Sequence, residues 1–214
     1  MSLLKQHLVV IMARGDSRRM GVPKGLCRLG PDALPFVAQL SGLYADLGFP
    51  VLVVVRQEDE LSYRDCLEDF QVETLSAPGG AGTAQTMRLA LDWAASRKLE
   101  EVCFWAHPVD LPLVRPHTIR QLLAAFEKDT SNALRPWHHG IPGHPVLFPG
   151  PTLARVLAGD CASLTMAAAW EMAISKAVAL PVQNFETDDQ GIVADFDHPE
   201  QLSSFRQTKD QDHD

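Results

Sequence analysis

HLVVIMARGDSRRMGVPKG, residues 7–25, decides the fold. Its first part, HLVVIMA (7–13), is apolar without alternation, the pattern of a strand covered on both faces. The chain then sets out Arg14, Arg18, Arg19 and Lys24 among Gly15, Gly21 and Pro23. Glycines let backbone N–H groups approach a phosphate closely, and cations balance its charge. A buried strand opening into such a loop reads as the first β-strand of an α/β sheet with an anion site at its carboxyl end. The same composition also suits an exposed basic turn, and at this point both readings stand. The loop is not G-x-x-x-x-G-K-[ST], and Gly15 and Gly21 are too far apart for G-x-G-x-x-G, so neither a P-loop nor a dinucleotide fingerprint is present.

Working outward, PVLVVVR (50–56) and EVCFWAH (101–107) repeat the buried-strand pattern. Helical spacing fills the gaps: Phe36, Val37, Leu40, Leu43, Tyr44 and Leu47 in 34–49, closed by Gly48; Met87, Leu91 and Ala94 in 83–98; and 116–129, opened by Pro116. Strand alternating with helix predicts an α/β fold, Rossmann-like and three-layered, with a mostly parallel sheet. Ligands of such sheets sit at the carboxyl ends of the strands, which singles out loops 14–25, 76–82 and 107–115. Further along, 131–148 reads as two short strands joined by a Gly/Pro turn. KAVALPV (176–182) and GIVADFD (191–197) read as strands, and DHPEQLSSF (197–205) as a closing helix. No linker or repeat interrupts the chain, so one domain over 1–206 is expected, followed by a polar, disordered tail over 207–214.

The chain has 214 residues, 46% of them hydrophobic, and a formal net charge of -8. An acidic total argues against nucleic-acid binding, which needs a basic surface. No apolar run reaches the ~18 residues of a membrane span, and the amino terminus lacks a signal-peptide layout, so no membrane partner and a cytoplasmic location are expected. Cys27, Cys66, Cys103 and Cys161 include no C-x-x-C pair, which speaks against structural zinc and fits a reduced compartment. Cys66 and Cys103 read as buried thiols. Trp93, Trp105 and Trp170 read as core. His138 and His139 read as a surface turn, since neighbours on a strand point to opposite faces. Glu58, Asp59 and Glu60, and likewise Asp188 and Asp189, suit solvated loops or helix N-terminal charges.

Asp110, in HPVDLPLV (107–114), falls at the carboxyl end of a strand between two prolines. A carboxylate there can hold Mg²⁺ beside phosphates, or can cap the following helix. Four segments in order narrow the choice. ARGDSRRMGVPKG resembles the signature L-A-A-G-x-S-x-R-M-G-x-P-K of the MobA-like NTP transferases, and PVDLPLV (108–114) resembles their metal-binding P-x-D-x-P-L-V. GIPGHPVLF (140–148) resembles G-x-x-G-H-P-V-L-F of the molybdenum cofactor cytidylyltransferase branch, and VADFDHPEQL (193–202) resembles the family's D-I-D-T-P-E-D-L close.

The resemblance implies a fold of the nucleotide-diphospho-sugar transferase type and Mg²⁺-dependent nucleotidyl transfer. It implies that Ala13, Gly15, Asp16 and Ser17 cradle the nucleotide, with Gly82, Thr83 and Thr86 near base and ribose. Arg18 and Lys24 would neutralise the triphosphate, and together with Asp110 they form the implied catalytic set. Asp110 would bind the metal, completed by Asp195 or Asp197, and His144 and Pro145 would shape the acceptor pocket. The reaction implied is transfer of CMP from CTP to the terminal phosphate of molybdopterin, releasing pyrophosphate. Guanylyl transfer from GTP to the same pterin, and transfer to a sugar or alditol phosphate, are the alternatives. A non-catalytic nucleotide-binding partner of a molybdoenzyme is the alternative of another class. Three departures from the pattern stand out. Arg14 replaces a small residue and either adds a phosphate contact or obstructs the pocket. Gln85 stands in the base-reading stretch. Cys161, Ala162, Ser163 and Leu164 follow Gly159–Asp160 where the branch carries G-A-R.

Overall fold

A computed structural model describes residues 7–17, 19–79, 82–99, 102–158, 164–169 and 182–211, with side chains described to 205. Arg18, Trp170, the segment 159–163 with Cys161, and 176–181 of the expected strand KAVALPV lie outside the described residues.

The chain runs β1 (His7–Ala13), α1 (Phe36–Asp46), β2 (Val51–Arg56), α2 (Glu60–Leu67), β3 (Glu73–Ala77), α3 (Thr83–Ser96) and β4 (Cys103–Pro108). It continues with α4 (Pro116–Phe126), β5 (Ala133–His138), β6 (Ile141–Pro142), β7 (Val146–Pro149), α5 (Gly150–Val156), β8 (Val182–Glu186) and α6 (Pro199–Gln211). The sheet order is β3-β2-β1-β4-β7-β5, with β8 on the other edge of β5 and β6 continuing the hairpin arm of β7. Pairings β1–β2, β1–β4, β2–β3 and β5–β8 are parallel, and β7 runs antiparallel to both β4 and β5. The expected α/β architecture with a mostly parallel sheet is therefore present.

Side chains alternate across a strand, so one strand feeds two cores. From β1, Val9, Ile11 and Ala13 enter a core with Phe36, Tyr44, Ile119, Phe126 and Leu202, under α1, α4 and α6. Leu8, Val10 and Met12 enter the opposite core with Met87, Phe104, Val146 and Leu153, under α3 and α5. All seven residues of β1 are buried, which is why its sequence is apolar from Leu8 to Ala13. α1 ends where Gly48 takes φ 82, a conformation that costs glycine little, and Phe49 N–H returns to the Tyr44 carbonyl at 3.0 Å. Trp105 is fully buried and donates from Nε1 to His7 Nδ1 at 3.0 Å, whereas Trp93 is half-buried under the Arg97 guanidinium.

Several expectations are corrected. GIVADFD (191–197) is not a strand: Gln190–Ile192 is a 3₁₀ turn and the rest is loop. The buried Asp189 carboxylate accepts from Gly191 N–H, and a Cβ on Gly191 would lie 2.2 Å from the Leu113 carbonyl oxygen, so the segment wraps tightly against the Asp110 loop. Residues 131–148 carry three strand segments rather than two, because residues 143–145 leave the ladder, His144 N–H turning to the Ile192 carbonyl at 2.9 Å. α6 runs from Pro199 to Gln211. Cys27 is the buried thiol, while Cys66 and Cys103 are half-buried. The surface turn expected at His138 and His139 is present, but the two rings do not point apart: His139 leaves the strand with φ 49 and they lie 4.3 Å from each other. Glu58, Asp59 and Glu60 stand at the start of α2, one of the two readings expected, and Asp59 also pairs with Arg56 at 2.7 Å.

Candidate active site

The loop after β1 is folded back on itself. Ser17, at φ 49, accepts Lys24 N–H on its Oγ at 3.0 Å and Met20 N–H on its carbonyl at 3.0 Å. Lys24 then opens a 3₁₀ turn whose Gly25 lies against Tyr63, where an added Cβ would sit 2.6 Å from the ring. The backbone of Lys24 is thus pinned on both sides, and its side chain is aimed. The Asp110 loop is pinned as well. Val109 N–H donates to Met12 O on β1, His107 Nε2 contacts the Leu111 carbonyl at 3.0 Å, and Gln39 Nε2 donates to Pro112 O at 2.8 Å.

These two loops meet a third. Lys24 Nζ donates to Asp110 Oδ2 at 2.5 Å and, in a shorter contact, to Asp197 Oδ1. Arg19 Nη2 lies 3.0 Å from Asp197 Oδ2. The Gln201 side chain braces the third loop, accepting from Asp197 and His198 N–H at 2.7 Å each and donating to Asp195 O. Phe196 N–H donates to the Asp110 carbonyl at 3.0 Å. Burial pulls the Lys24 pKa down, but its bonds to Asp110 and Asp197 and their charges outweigh that and hold it above the usual lysine value. The Lys24 hydrogen bond holds Asp197 below the carboxylate range. Asp195 is pushed up by burial and by the charges of Asp197 and Asp110.

A cavity of about 400 Å³ opens over this cluster. Of the residues expected to hold the nucleotide, Ala13, Gly15, Asp16, Ser17, Thr83 and Thr86 line it, together with Lys24 and Asp110. Gly82 does not line it: a Cβ there would fall 2.0 Å from the Leu164 carbonyl oxygen, so the glycine serves close packing. Thr83 Oγ1 already accepts Met166 N–H at 2.9 Å. His144 lines a neighbouring cavity, and Pro145 is buried behind it. Arg14 stands on the cavity wall with its guanidinium tied back. It is 6% exposed, and its guanidinium donates to the Pro78 carbonyl from Nε at 2.8 Å and Nη2 at 2.6 Å, tying the β1 loop to the end of β3.

Arg19 takes the position in the cluster, with Arg18 outside the described residues. The spacing of the signature itself was the signal, since its R-M-G aligns with Arg19–Met20–Gly21. Gln201 had no signal beyond its place in the closing segment. The metal question turns on the carboxylates. Asp110 and Asp197 converge on one point, and their hard oxygens are the donors Mg²⁺ prefers. Lys24 Nζ stands at that point, and among the described residues no group of three or more His, Cys, Asp or Glu side chains is close enough to form a ready metal cage. Two carboxylates plus phosphate oxygens is the usual Mg²⁺ arrangement in phosphoryl-transfer sites, so these residues fit the ion together with a nucleotide.

The MobA-like NTP transferase domain model matches residues 9–173. The chain belongs to the MobA-like NTP transferase family. No curated protein sequence matches it. Among solved structures, Rv0371c from Mycobacterium tuberculosis is 20% identical, with TM-score 0.71 over 94% of this chain and 97% of its own. A manganese complex of Rv0371c matches with TM-score 0.70. Molybdopterin-guanine dinucleotide biosynthesis protein A from Archaeoglobus fulgidus is 16% identical, with TM-score 0.67 over 95% and 99%. CMP:2-keto-3-deoxy-manno-octonic acid synthetase, solved with CTP, is 13% identical, with TM-score 0.67 over 97% and 99%. At these identities the likeness establishes the fold, and the family match makes the chain a nucleotidyltransferase of the MobA-like kind. Among the described residues no helix is long and apolar enough to cross a membrane.

Proposed function

We propose that the protein is a cytoplasmic, Mg²⁺-dependent nucleotidyltransferase that moves CMP from CTP to the terminal phosphate of molybdopterin. The observation that carries this reading is the Lys24 ammonium held between Asp110 and Asp197 at the edge of the cavity lined by the β1 loop. A phosphate oxygen of the acceptor attacks the α-phosphorus of the nucleotide. The α–β bridging P–O bond breaks, and pyrophosphate leaves with the electron pair. Positioning and charge stabilisation carry such a reaction, and no nucleophilic side chain is required.

Ala13, Gly15, Asp16 and Ser17 cradle the triphosphate, and Thr83 and Thr86 lie toward base and ribose. Lys24 and Arg19, with Arg18 beside them in sequence, neutralise the charge that develops on the leaving group. Asp110 and Asp197 hold the divalent ion, with Asp195 reinforcing the negative field around it. The ion, when bound, supplies further charge neutralisation at the triphosphate. Cytidine is favoured over guanine by the G-H-P-V-L-F segment at 143–148, and is in keeping with the CTP complex of the structurally similar synthetase.

The test is a thermal-shift panel of CTP, GTP, ATP and UTP with and without Mg²⁺, followed by pyrophosphate release with molybdopterin. A ligand at 100 times its Kd stabilises the fold by about 2.7 kcal/mol, which is readily seen. A Mg²⁺-dependent shift with CTP, abolished in Asp110→Ala, supports the reading. A shift with GTP alone moves the assignment to guanylyl transfer, and no shift with any nucleotide refutes it.

A further inference from the structure

A second cavity, of about 330 Å³, adjoins the nucleotide cavity and shares Met12, Thr83 and Pro108 with it. Its walls are largely apolar: Ala106, Val146 and Phe148 from the sheet and Met166 from the segment docked on α3. One charged side chain enters it, Arg135 from β5. The Arg135 Nε is buried without a hydrogen-bond partner, and among the described residues no carboxylate pairs with the guanidinium. Burial depresses its pKa, with no neighbouring negative charge to offset this. A guanidinium stays protonated in proteins, so a cation that no described carboxylate offsets faces an apolar wall. Such an arrangement is unfavourable until a ligand brings the missing charge.

The position separates this cation from the triphosphate site. β5 lies two strands from β4, about 10 Å at the usual spacing. Asp110 lies beyond the carboxyl end of β4. His144, on the wall, has its Nδ1 turned to the Ala106 carbonyl at 3.4 Å. Thr83 Oγ1 is taken by Met166 N–H. The wall at Val146 and Phe148 offers no hydrogen-bond partner, so the hydroxyls of a polyhydroxylated molecule would lose water against it.

We propose that this cavity receives the acceptor of the transfer and that Arg135 selects it, by binding a second anionic group on a body that packs an apolar face on the wall, remote from the phosphate that reacts. The proposal rests on the nucleotidyl-transfer reading and narrows its acceptor, setting aside sugar and alditol phosphates.

The experiment is calorimetric titration of the full chain with three probes: 1-naphthoate, its neutral counterpart 1-naphthalenemethanol, and ribose 5-phosphate. The wild type binds 1-naphthoate at least tenfold more tightly than either other probe. Arg135→Met weakens 1-naphthoate binding at least tenfold, and Arg135→Lys recovers part of it. CTP binding with Mg²⁺ changes less than twofold in both variants, which also shows that they remain folded. The proposal is overturned if the wild type does not bind 1-naphthoate, if Arg135→Met binds it as well as the wild type, or if ribose 5-phosphate binds as tightly. Failure of the nucleotidyl-transfer reading is read separately, as wild-type protein that binds 1-naphthoate but not CTP.

Discussion

Lys24 Nζ donates to Asp110 Oδ2 at 2.5 Å across 86 positions of sequence, joining the loop after β1 to the loop after β4. Each loop is fixed by its own backbone bonds, so the pair is held by the fold rather than by the charges alone. The ammonium neutralises two carboxylates that would otherwise repel each other.

Removing that ammonium separates function from folding. Lys24→Met keeps the length of the side chain and removes its charge. Nucleotidyl transfer is expected to fall on the order of 10²–10³-fold, the effect of deleting one transition-state charge contact. Circular dichroism should match the wild type. An unchanged kcat would remove Lys24 from the reaction.

Asp189 makes a purely structural test. It is 1% exposed, and its carboxylate accepts from Gly191 N–H at 2.9 Å, Arg115 N–H at 2.8 Å and Thr118 Oγ1 at 2.6 Å. It therefore joins the start of α4 to the loop that leads to Asp195 and Asp197. Asp189→Ala strands three donors and should cost about 2–4 kcal/mol in urea unfolding. A loss below 0.5 kcal/mol would show that the loop is held by other contacts.

Gly82 tests the docking of residues 164–169. A Cβ there meets the Leu164 carbonyl oxygen at 2.0 Å, a backbone atom without rotamer freedom. Gly82→Ala should displace that segment, break the Ala84 N–H to Leu164 O bond and destabilise the fold by about 1–3 kcal/mol. Because Met166 walls the second cavity, 1-naphthoate binding should weaken in parallel. A variant with wild-type stability and binding contradicts this packing.

Two histidines set the acid limb of stability. Burial lowers His107 to about 3 and His144 to about 4. His107 is fully buried, with Nδ1 against the Tyr44 hydroxyl at 2.7 Å and Nε2 against the Leu111 carbonyl. With folded pKa values below the unfolded value near 6.5, the unfolded chain binds the extra protons. Stability is therefore full above about pH 6.5 and falls as pH drops toward 4, by up to about 1.4 kcal/mol per pH unit for each histidine. His107→Asn should flatten this slope in urea titrations at pH 4–7. An unaltered slope would show that His107 is protonated in the folded state.

Legibility followed burial. β1 and β2 were plain because both faces are covered, so apolar residues run without interruption. β3 and α2 are hard to see: ETLSA has one buried residue in an edge strand, and ELSYRDCL buries only Tyr63 and Leu67. GIVADFD misled because its Ile192 and Phe196 are buried from a loop, held by Gly191 against Leu113 and by Phe196 N–H on Asp110 O. Alternation reports burial and does not report whether a ladder of backbone bonds accompanies it.

The order of motifs determined the family and the fold, because a cationic glycine loop after an apolar strand and an aspartate after a later one depend on local residues alone. Tertiary structure decided what those residues do to one another. It tied Arg14 back onto Pro78, placed Arg19 beside Asp197, assigned Gly82 to packing, and gave Arg135 no counter-ion among the described residues. Each of these depends on a neighbour at least 64 positions away, or on the absence of one among the described residues, and such distances close only when the strands assemble in the order β3-β2-β1-β4-β7-β5.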